Sequence, residues 1–263
     1  MAGLEVQRME PVIVDRKDGV VTFTLNRPQR RNAIDVSTWQ LLSRELAEVA
    51  QREADRVLVL TGSQDTFCAG GDLSEGSGEV PPGSSPVGVM RDTVNRFCLG
   101  LHQLAKPCIA AVEGTAAGAG ANLAWGCDLV VAGRSARFGQ VFVRRGLSLD
   151  SGGSWLLPRL VGLQKAKQLA FFGDWLDAEE ACRLGAVTEV VDDGNALASA
   201  HTLAARLVES SATALAFIKR GLDGSLENSF ETCLEEEALG VHHCTQTPEF
   251  AAQLRALFQK GSG

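Results

Sequence analysis

The pattern of apolar and polar positions divides the chain into two regions. Short apolar runs such as 20–25 and 56–60 predict strands, and the apolar spacing over 37–53 predicts an amphipathic helix. Beyond residue 193 the strand pattern stops, and helical periodicity covers 195–210, 212–221, 225–241 and 248–260. We therefore expect an α/β core over 1–193 and a helical region over 194–263.

The longest apolar run, 107–131, carries the strongest local signal. It predicts a buried strand, a turn of small residues at 114–120, a short helix and a second buried strand. A turn with almost no side chains lets a ligand approach the backbone. The helix that follows directs free N–H groups and its positive dipole end towards that ligand. The segment therefore predicts a site that stabilises an oxygen anion.

Composition narrows the class of function. The 263 residues are 45% hydrophobic, which suffices for a large core, and the net charge of −7 argues against a nucleic-acid binder. The apolar runs are interrupted by polar residues and glycines, so we expect no membrane helix. Seven scattered cysteines without CxxC spacing indicate free thiols in a reducing cytoplasm, with no metal site and no disulfide framework.

One further segment is predicted to be mobile. Residues 74–88 are rich in Gly, Ser and Pro and lack periodicity, which is typical of a lid. We expect this lid and the helical stretch at 93–104 to shape the pocket for the ligand.

Five segments, taken in order, resemble one family. They are 25–28 followed by 31–33, 67–73, the run 107–131, 136–139, and 146–162. Together they are similar to the enoyl-CoA hydratase/isomerase (crotonase) superfamily over residues 10–260. This resemblance implies a spiral of strand–strand–helix turns followed by helices that pack against neighbouring subunits in a homotrimer or hexamer. It also implies an acyl-CoA thioester substrate and no metal or redox cofactor.

The resemblance assigns roles to individual residues. The backbone N–H groups of Gly71 and Ala119 match the pair that holds the thioester oxygen in the family. By analogy with other oxyanion holes, each of the two donors stabilises the negative charge that develops on this oxygen by about 3–4 kcal/mol. Ala69 matches the position whose backbone recognises the CoA adenine. Arg27, unless it is a solvated turn residue, and Lys260, across a subunit interface, are expected to approach the CoA phosphates.

The residues that decide the reaction depart from the hydratase pattern. The two glutamates that activate water in that pattern fall on Asn122 and Phe142, and neither side chain exchanges protons at neutral pH. Asp150 matches the carboxylate of dienoyl-CoA isomerases, of epoxy/oxepin-CoA isomerases and of dehalogenases, and the segment 150–159 most resembles the second group. We expect Asp150 to move a proton from one carbon of the acyl chain to another.

The neighbours of this carboxylate have expected roles too. Apolar Phe142 should exclude water and raise the pKa of Asp150, and Asn122 should orient substrate or base. Asp150 could instead cap the helix near residue 154, which would make it a poor base. Glu113 is a weaker acid candidate that fits better as a partner of backbone groups in the adjacent turn. Asp72 and Asp128 are interpreted as structural.

Several functions remain open at this point. An enoyl-CoA isomerase is the leading interpretation, and a divergent enoyl-CoA hydratase is the nearest alternative. Asp150 could also act as a nucleophile in a thioester hydrolase or a dehalogenase. A non-catalytic acyl-CoA-binding protein belongs to a different class, and the loss of both glutamates is compatible with it.

Overall fold

The fold is built on a six-stranded sheet and a smaller three-stranded sheet. The computed structural model of the protein describes residues 10–74 and 85–260, with side chains as far as residue 255. The strands are β1 Val12–Lys17, β2 Val20–Leu25, β3 Val57–Gly62, β4 Cys108–Val112, β5 Thr115–Ala117, β6 Leu129–Gly133, β7 Arg137–Gly139, β8 Trp175–Asp177 and β9 Glu189–Val191. The large sheet has the order β1-β2-β3-β4-β6-β9, and the small one has the order β5-β7-β8.

Helices connect and cover these strands. They are α1 Val36–Gln51, α2 Pro86–Met90, α3 Arg96–His102, α4 Ala119–Trp125, α5 Gly153–Val161, α6 Leu163–Phe172, α7 Ala178–Arg183, α8 Ala196–Val208, α9 Ala212–Gly224, α10 Phe230–Thr245 and α11 Pro248–Lys260. A π-helical turn, Arg91–Asn95, joins α2 to α3, and 3₁₀ turns form at Pro28–Arg30 and Val141–Arg145. The expected α/β class with a helical C-terminal region is confirmed.

The chain enters the sheet through a hairpin that the sequence predicts. Strands β1 and β2 are antiparallel, with Lys17 opposite Val20, and Asp18 and Gly19 both have positive φ. The following strands of the large sheet pair in parallel, β2 with β3, β3 with β4, and β4 with β6. Parallel pairing on both sides explains why β3 and β4 are almost continuously buried.

The structure differs from the sequence predictions at two places. Helix α1 begins at Val36, one residue before the predicted start, and it is capped by Asp35, whose carboxylate accepts a hydrogen bond from the Thr38 backbone N–H at 2.8 Å. The small-residue segment after β4 is more than a turn, because Thr115–Ala117 forms β5 and pairs in parallel with β7. Strand β8 completes that sheet. It has only three residues, too few for an apolar pattern to predict it.

The helical region after residue 193 is not separate from the α/β core over its whole length. Helix α8 packs its buried residues Ala196, Ala200 and Ala204 against β3, β4 and β6. Helix α9 has no buried residue in its described length, and it exposes apolar side chains such as Leu222. The packing of this region against other subunits stays a prediction.

Two further expectations concern segments at the edge of the described chain. The predicted lid falls largely on 75–84, which lie outside the described residues, and α2 begins just after it. Within the residues that are described, no helix is long and apolar enough to cross a membrane.

The close contact between α4 and the loop that contains Cys68 can be tested by its effect on stability. A Cβ on Gly120 would lie 2.3 Å from the carbonyl oxygen of Cys68 and 2.8 Å from its Cβ. We expect Gly120→Ala to lower the free energy of unfolding by about 1–3 kcal/mol through overpacking. Gly221→Ala on α9 is the matched control, because a Cβ there meets nothing within 4 Å. It should change stability by less than about 1 kcal/mol, in the stabilising direction. Urea denaturation measures both, and equal effects would contradict the steric argument.

Candidate functional site

Two backbone N–H groups lie where the loop 68–71 meets the start of α4. Helix α4 begins at Ala119, so the Ala119 N–H has no acceptor within the helix. Ala117 donates its N–H to the Cys68 carbonyl at 2.9 Å, which holds the loop against β5. A Cβ built on Gly70 would lie 3.6 Å from the Ala119 nitrogen, so the loop passes directly beside this nitrogen.

The position of Gly71 is fixed by its neighbours. The Gly70 carbonyl accepts from the Ile34 N–H, and the Asp72 N–H donates to the Ile34 carbonyl, both at 2.9 Å. Gly71 between them is exposed, and a Cβ there would meet nothing within 4 Å. Among the described residues, neither the Gly71 nor the Ala119 nitrogen donates a hydrogen bond. Both predicted donors are therefore free and adjacent to one loop.

Arg27 has partners that the sequence did not predict. Its guanidinium lies 2.9 Å from the Asp72 carboxylate and 3.2 Å from that of Asp35, and it donates to the Ala33 carbonyl. These contacts tie the segment before α1 to the loop that carries Gly71. Hydrogen bonds from Ser74, and then Arg27, hold the pKa of Asp72 below its usual range, against the effect of burial. The solvated turn arginine was therefore a wrong alternative, and the contact of Arg27 with a CoA phosphate stays a prediction.

The structure gives fewer contacts for the other two residues that are predicted to bind CoA. The Ala69 N–H donates to the Arg31 carbonyl at 3.0 Å, which leaves the Ala69 carbonyl for the predicted adenine contact. Lys260 is the last residue of α11, and its side chain lies outside the described residues. Both roles stay predictions.

Asp150 precedes α5 and does not cap it. The N-cap is Gly152, and no side chain makes a capping hydrogen bond there, so that alternative interpretation was wrong. The Asp150 carboxylate is half-buried and accepts a hydrogen bond from the Ser151 hydroxyl at 2.8 Å. Burial raises the pKa of this carboxyl above its ordinary value, and the hydrogen bond from Ser151 opposes that rise. A poorly hydrated carboxylate of this kind is suited to accept a proton from carbon.

A chain of two buried amides connects Asp150 to α4. Asn122, one turn after Ala119, donates from Nδ2 to the Asp150 carbonyl at 2.8 Å. Gln140 donates from Nε2 to the Asn122 Oδ1 at 2.7 Å, and both amides are 1% exposed. A Cβ on Gly153 would come within 2.8 Å of three Asn122 side-chain atoms, so the first residue of α5 closes over this link. Asn122 therefore positions the backbone of the predicted base, one of the two roles expected for it.

Phe142 lies on the 3₁₀ turn that follows β7. Its ring is buried, and ring atoms would lie 3.5–3.8 Å from a Cβ built on Gly118. Gly118 has φ 53° and donates its N–H to the Gly139 carbonyl at 2.8 Å. The ring therefore packs against the peptide that precedes the Ala119 donor.

The remaining acidic candidates have structural partners. Glu113 accepts the Ala196 N–H at 2.9 Å and so satisfies the start of α8, which corrects the expectation that it serves the adjacent turn. Asp128 accepts the Cys108 N–H at 2.7 Å and pairs with Lys219 at 2.9 Å. Asp72 pairs with Arg27, as described above. These contacts confirm the structural interpretation of Asp72 and Asp128.

A cavity of about 820 Å³ adjoins the Asp150 side of the site. Residues of α3, α4, α5 and α9 line it, among them Cys98, Asn122, Ser151, Trp155 and Phe217. Asp150, Gly71 and Ala119 are not among its lining residues. The cavity therefore contacts the site through Asn122 and Ser151, whose side chains hydrogen-bond to Asp150.

The whole chain matches a known family. The family model described as enoyl-CoA hydratase/isomerase matches residues 15–261. The chain belongs to the enoyl-CoA hydratase/isomerase family. It is therefore a member of the crotonase superfamily, as its motifs indicate.

The chain is similar to relatives whose names state different activities. A 1,2-epoxyphenylacetyl-CoA isomerase of Escherichia coli is 39% identical over 231 residues, which cover 87% of this chain and 88% of the relative. A short-chain-enoyl-CoA hydratase of Clostridium acetobutylicum is 31% identical over 95% of both chains. The crystal structure of an enoyl-CoA hydratase/isomerase from Cupriavidus metallidurans superposes with a TM-score of 0.88 at 36% identity, covering 97% of this chain and 95% of the other.

Sequence reasoning missed two residues of the site. Gln140 and Ser151 are 1% and 2% exposed, and they hold Asn122 and Asp150, respectively. Gln140 follows a three-residue strand, so local periodicity gives no indication of its burial. Ser151 has φ 50°, which is unusual for a residue other than Gly, Asn or Asp. Its position directly after Asp150 was the signal that could have found it.

The amide chain generates a prediction about energetic coupling. Asn122→Leu should lower the free energy of unfolding by about 1–3 kcal/mol, because it leaves the buried Gln140 Nε2 without its acceptor and removes one of the two hydrogen bonds to the Asp150 carbonyl. The variant combining Asn122→Leu with Gln140→Met should be less destabilised than the sum of the two single variants. The coupling energy is expected to be about 0.5–3 kcal/mol.

Chemical denaturation of the four proteins measures that coupling. Gln164→Met, at an exposed position of α6, is the matched control and should change stability by no more than about 0.5 kcal/mol. Strictly additive effects would show that the two amides do not act as one chain.

Proposed function

We propose that this protein is an enoyl-CoA isomerase in which Asp150 moves a proton between two carbons of the acyl chain. The observation that carries the proposal is the link from Ala119 through Asn122 to Asp150. It joins a free backbone donor to a half-buried carboxylate with a raised pKa. An enolate-forming reaction needs both groups, a donor at the thioester oxygen and a base at the adjacent carbon chain.

The backbone donors support the first half of the reaction. Removal of a proton from the acyl chain moves negative charge onto the thioester oxygen. The free N–H groups of Gly71 and Ala119 are suited to stabilise that charge, since they need no rearrangement when it develops. Helix α4 adds the partial positive charge of its first turn.

The carboxylate supports the second half. Asp150 takes the proton as a carboxylate and becomes the acid that returns it, so one group serves both steps. Its hydrogen bond from Ser151 and the anchoring of its carbonyl by Asn122 limit its movement between the steps. Phe142 occupies the position of a hydratase glutamate with a buried ring, which disfavours an activated water there. The adjacent cavity would accept the acyl chain beyond the reacting carbons.

Enoyl-CoA hydration is the second candidate function, and the names of relatives favour it. The Clostridium acetobutylicum relative carries a hydratase name, while the Escherichia coli relative carries an isomerase name. In this chain, a hydratase would have to activate water with Asp150 alone. An assay for product also distinguishes an enzyme from a protein that binds acyl-CoA without converting it.

The first functional test compares the two reactions directly. We expect the protein to convert 3-enoyl-CoA into 2-enoyl-CoA in deuterated water, and Asp150→Asn to lower kcat by about a hundred-fold to ten-thousand-fold. Asp65→Asn, at an exposed carboxylate, is the matched control and should keep the wild-type rate. Product analysis by mass spectrometry measures both positional change and exchange. Clean hydration of 2-enoyl-CoA that survives Asp150→Asn would contradict the proposal, and binding with no reaction would favour the non-catalytic alternative.

The raised pKa of Asp150 predicts opposite effects on activity and stability. The base must be ionised, so kcat/KM should fall as the pH decreases through that raised pKa. The folded pKa exceeds the unfolded one, so the ionised carboxylate destabilises the fold at neutral pH, and protonation removes this penalty. We therefore expect Asp150→Asn to be more stable than wild type at neutral pH, with the difference vanishing in acid. Thermal unfolding across pH measures it, and a variant less stable at neutral pH would show that the carboxylate is structural.

A further inference from the structure

We propose that the Ser151 hydroxyl makes the two oxygens of the Asp150 carboxylate inequivalent, so that Oδ2 alone takes up and returns the substrate proton. Ser151 is thus a positioning residue. This inference deepens the proposed isomerase function and rests on it.

The geometry on the Ser151 side fixes one oxygen. The hydroxyl donates to Asp150 Oδ1 at 2.8 Å, and Ser151 is 2% exposed, so bulk water does not compete for this bond. In the part of the chain that the structure describes, no hydrogen bond reaches Oδ2. An oxygen that already accepts a hydrogen bond is the weaker base, which leaves Oδ2 as the stronger one.

The backbone at Ser151 supports a functional role for that hydroxyl. Its φ of 50° is in the left-handed region, where glycine is favoured and a serine is strained. The next residue, Gly152, also has a positive φ of 82°. The chain therefore makes a left-handed turn directly after Asp150, and this turn brings the Ser151 hydroxyl back onto the carboxylate.

The other titratable neighbour does not compete for the proton. Cys98 of α3 lies near both Asp150 and Ser151, and it lines the same cavity. Burial raises the pKa of the Cys98 thiol to about 12, so it stays protonated and neutral at physiological pH. The elements otherwise packed here, α4 and the start of α5, contribute Asn122 and Gly153, which do not titrate. Three more groups that can accept a proton, His102, Asp223 and Glu227, line the cavity, but among the described residues none of them hydrogen-bonds to Asp150 or Ser151.

The proposed step balances as follows. A lone pair on Asp150 Oδ2 forms the O–H bond while the substrate C–H bond breaks, and its electrons form the thioester enolate. The enolate then forms a new C–H bond at the other carbon, and the Oδ2–H bond breaks to return the carboxylate. Ser151 keeps its own proton throughout. Because the same oxygen carries the proton, a label removed from the substrate should reappear in the product.

Label retention tests the proposal. The probe is 3-enoyl-CoA deuterated at C2, incubated in ordinary water with the full-length protein, and the readout is the deuterium found at C4 of the product. Wild type should retain a measurable fraction. Ser151→Gly and Ser151→Ala should each retain less, since a carboxylate that is not fixed also takes up the deuteron on the oxygen that does not face C4, from which it exchanges with water before it can be returned. The glycine variant also relieves the strain at φ 50°, so agreement between the two variants assigns the effect to the hydroxyl and not to the backbone.

The second readout does not depend on turnover. Both Ser151 variants should move the titration midpoint of the Asp150 carboxyl to higher pH, because they remove a donor to its charged form. Carboxyl ¹³C shifts measure this midpoint, with Asp150→Asn identifying the resonance. Ser154→Ala, at an exposed position of α5, is the matched control and should change neither readout.

The outcomes separate the two proposals. Unchanged retention in both Ser151 variants of an active isomerase would overturn the role of Ser151 while leaving the isomerase intact. A protein with no isomerase activity would overturn the proposed function and the proton transfer through Oδ2. In that case an unchanged titration midpoint would in addition overturn the effect of the Ser151 hydroxyl on Asp150.

Discussion

The site depends on the close approach of the loop 68–71 to the first turn of α4. Gly120 packs against Cys68, and Gly70 packs against Ala117, at distances that leave no room for a Cβ. Larger side chains would separate the two segments and would move the nitrogens of Gly71 and Ala119 apart. The backbone donors are therefore a product of packing between two segments that are distant in sequence. Arg27 reinforces this arrangement, because it ties the loop to the segment before α1.

A second constraint is the orientation of the carboxylate relative to those donors. Asn122 lies on the same short helix as Ala119. Its hydrogen bond to the Asp150 carbonyl therefore fixes the proposed base, Asp150, relative to the proposed donor, the Ala119 N–H. Gln140 fixes Asn122 in turn, although the Gln140 Oε1 is buried without a partner among the described residues. Leaving a buried acceptor unsatisfied costs about 1–3 kcal/mol. The fold tolerates this cost at the point where the amide chain holds the site together.

Sequence reasoning succeeded where the signal was local or shared across a family. The run 107–131 predicted a strand, a helix and a second strand, and the structure contains these three, although the predicted turn between the first two also holds β5. The family resemblance also assigned roles to Gly71, Ala119, Asn122 and Asp150, and these roles stay predictions. Sequence reasoning failed where the outcome depends on distant partners. The partners of Arg27 lie at 33, 35 and 72, and Glu113 serves a helix that starts at residue 196, so no periodicity could assign either of them.

The replacement of both hydratase glutamates can be understood from the same contacts. A glutamate at position 122 would have to fit beside Gly153, where an added Cβ would already lie 2.4 Å from the Asn122 Nδ2. It would also place a second carboxylate beside Asp150, and like charges in a poorly hydrated site raise the cost of ionisation. An amide at this position supplies a donor for the Asp150 carbonyl and adds no charge. A single half-buried carboxylate next to a neutral amide chain is therefore the arrangement that the proposed transfer of one proton requires.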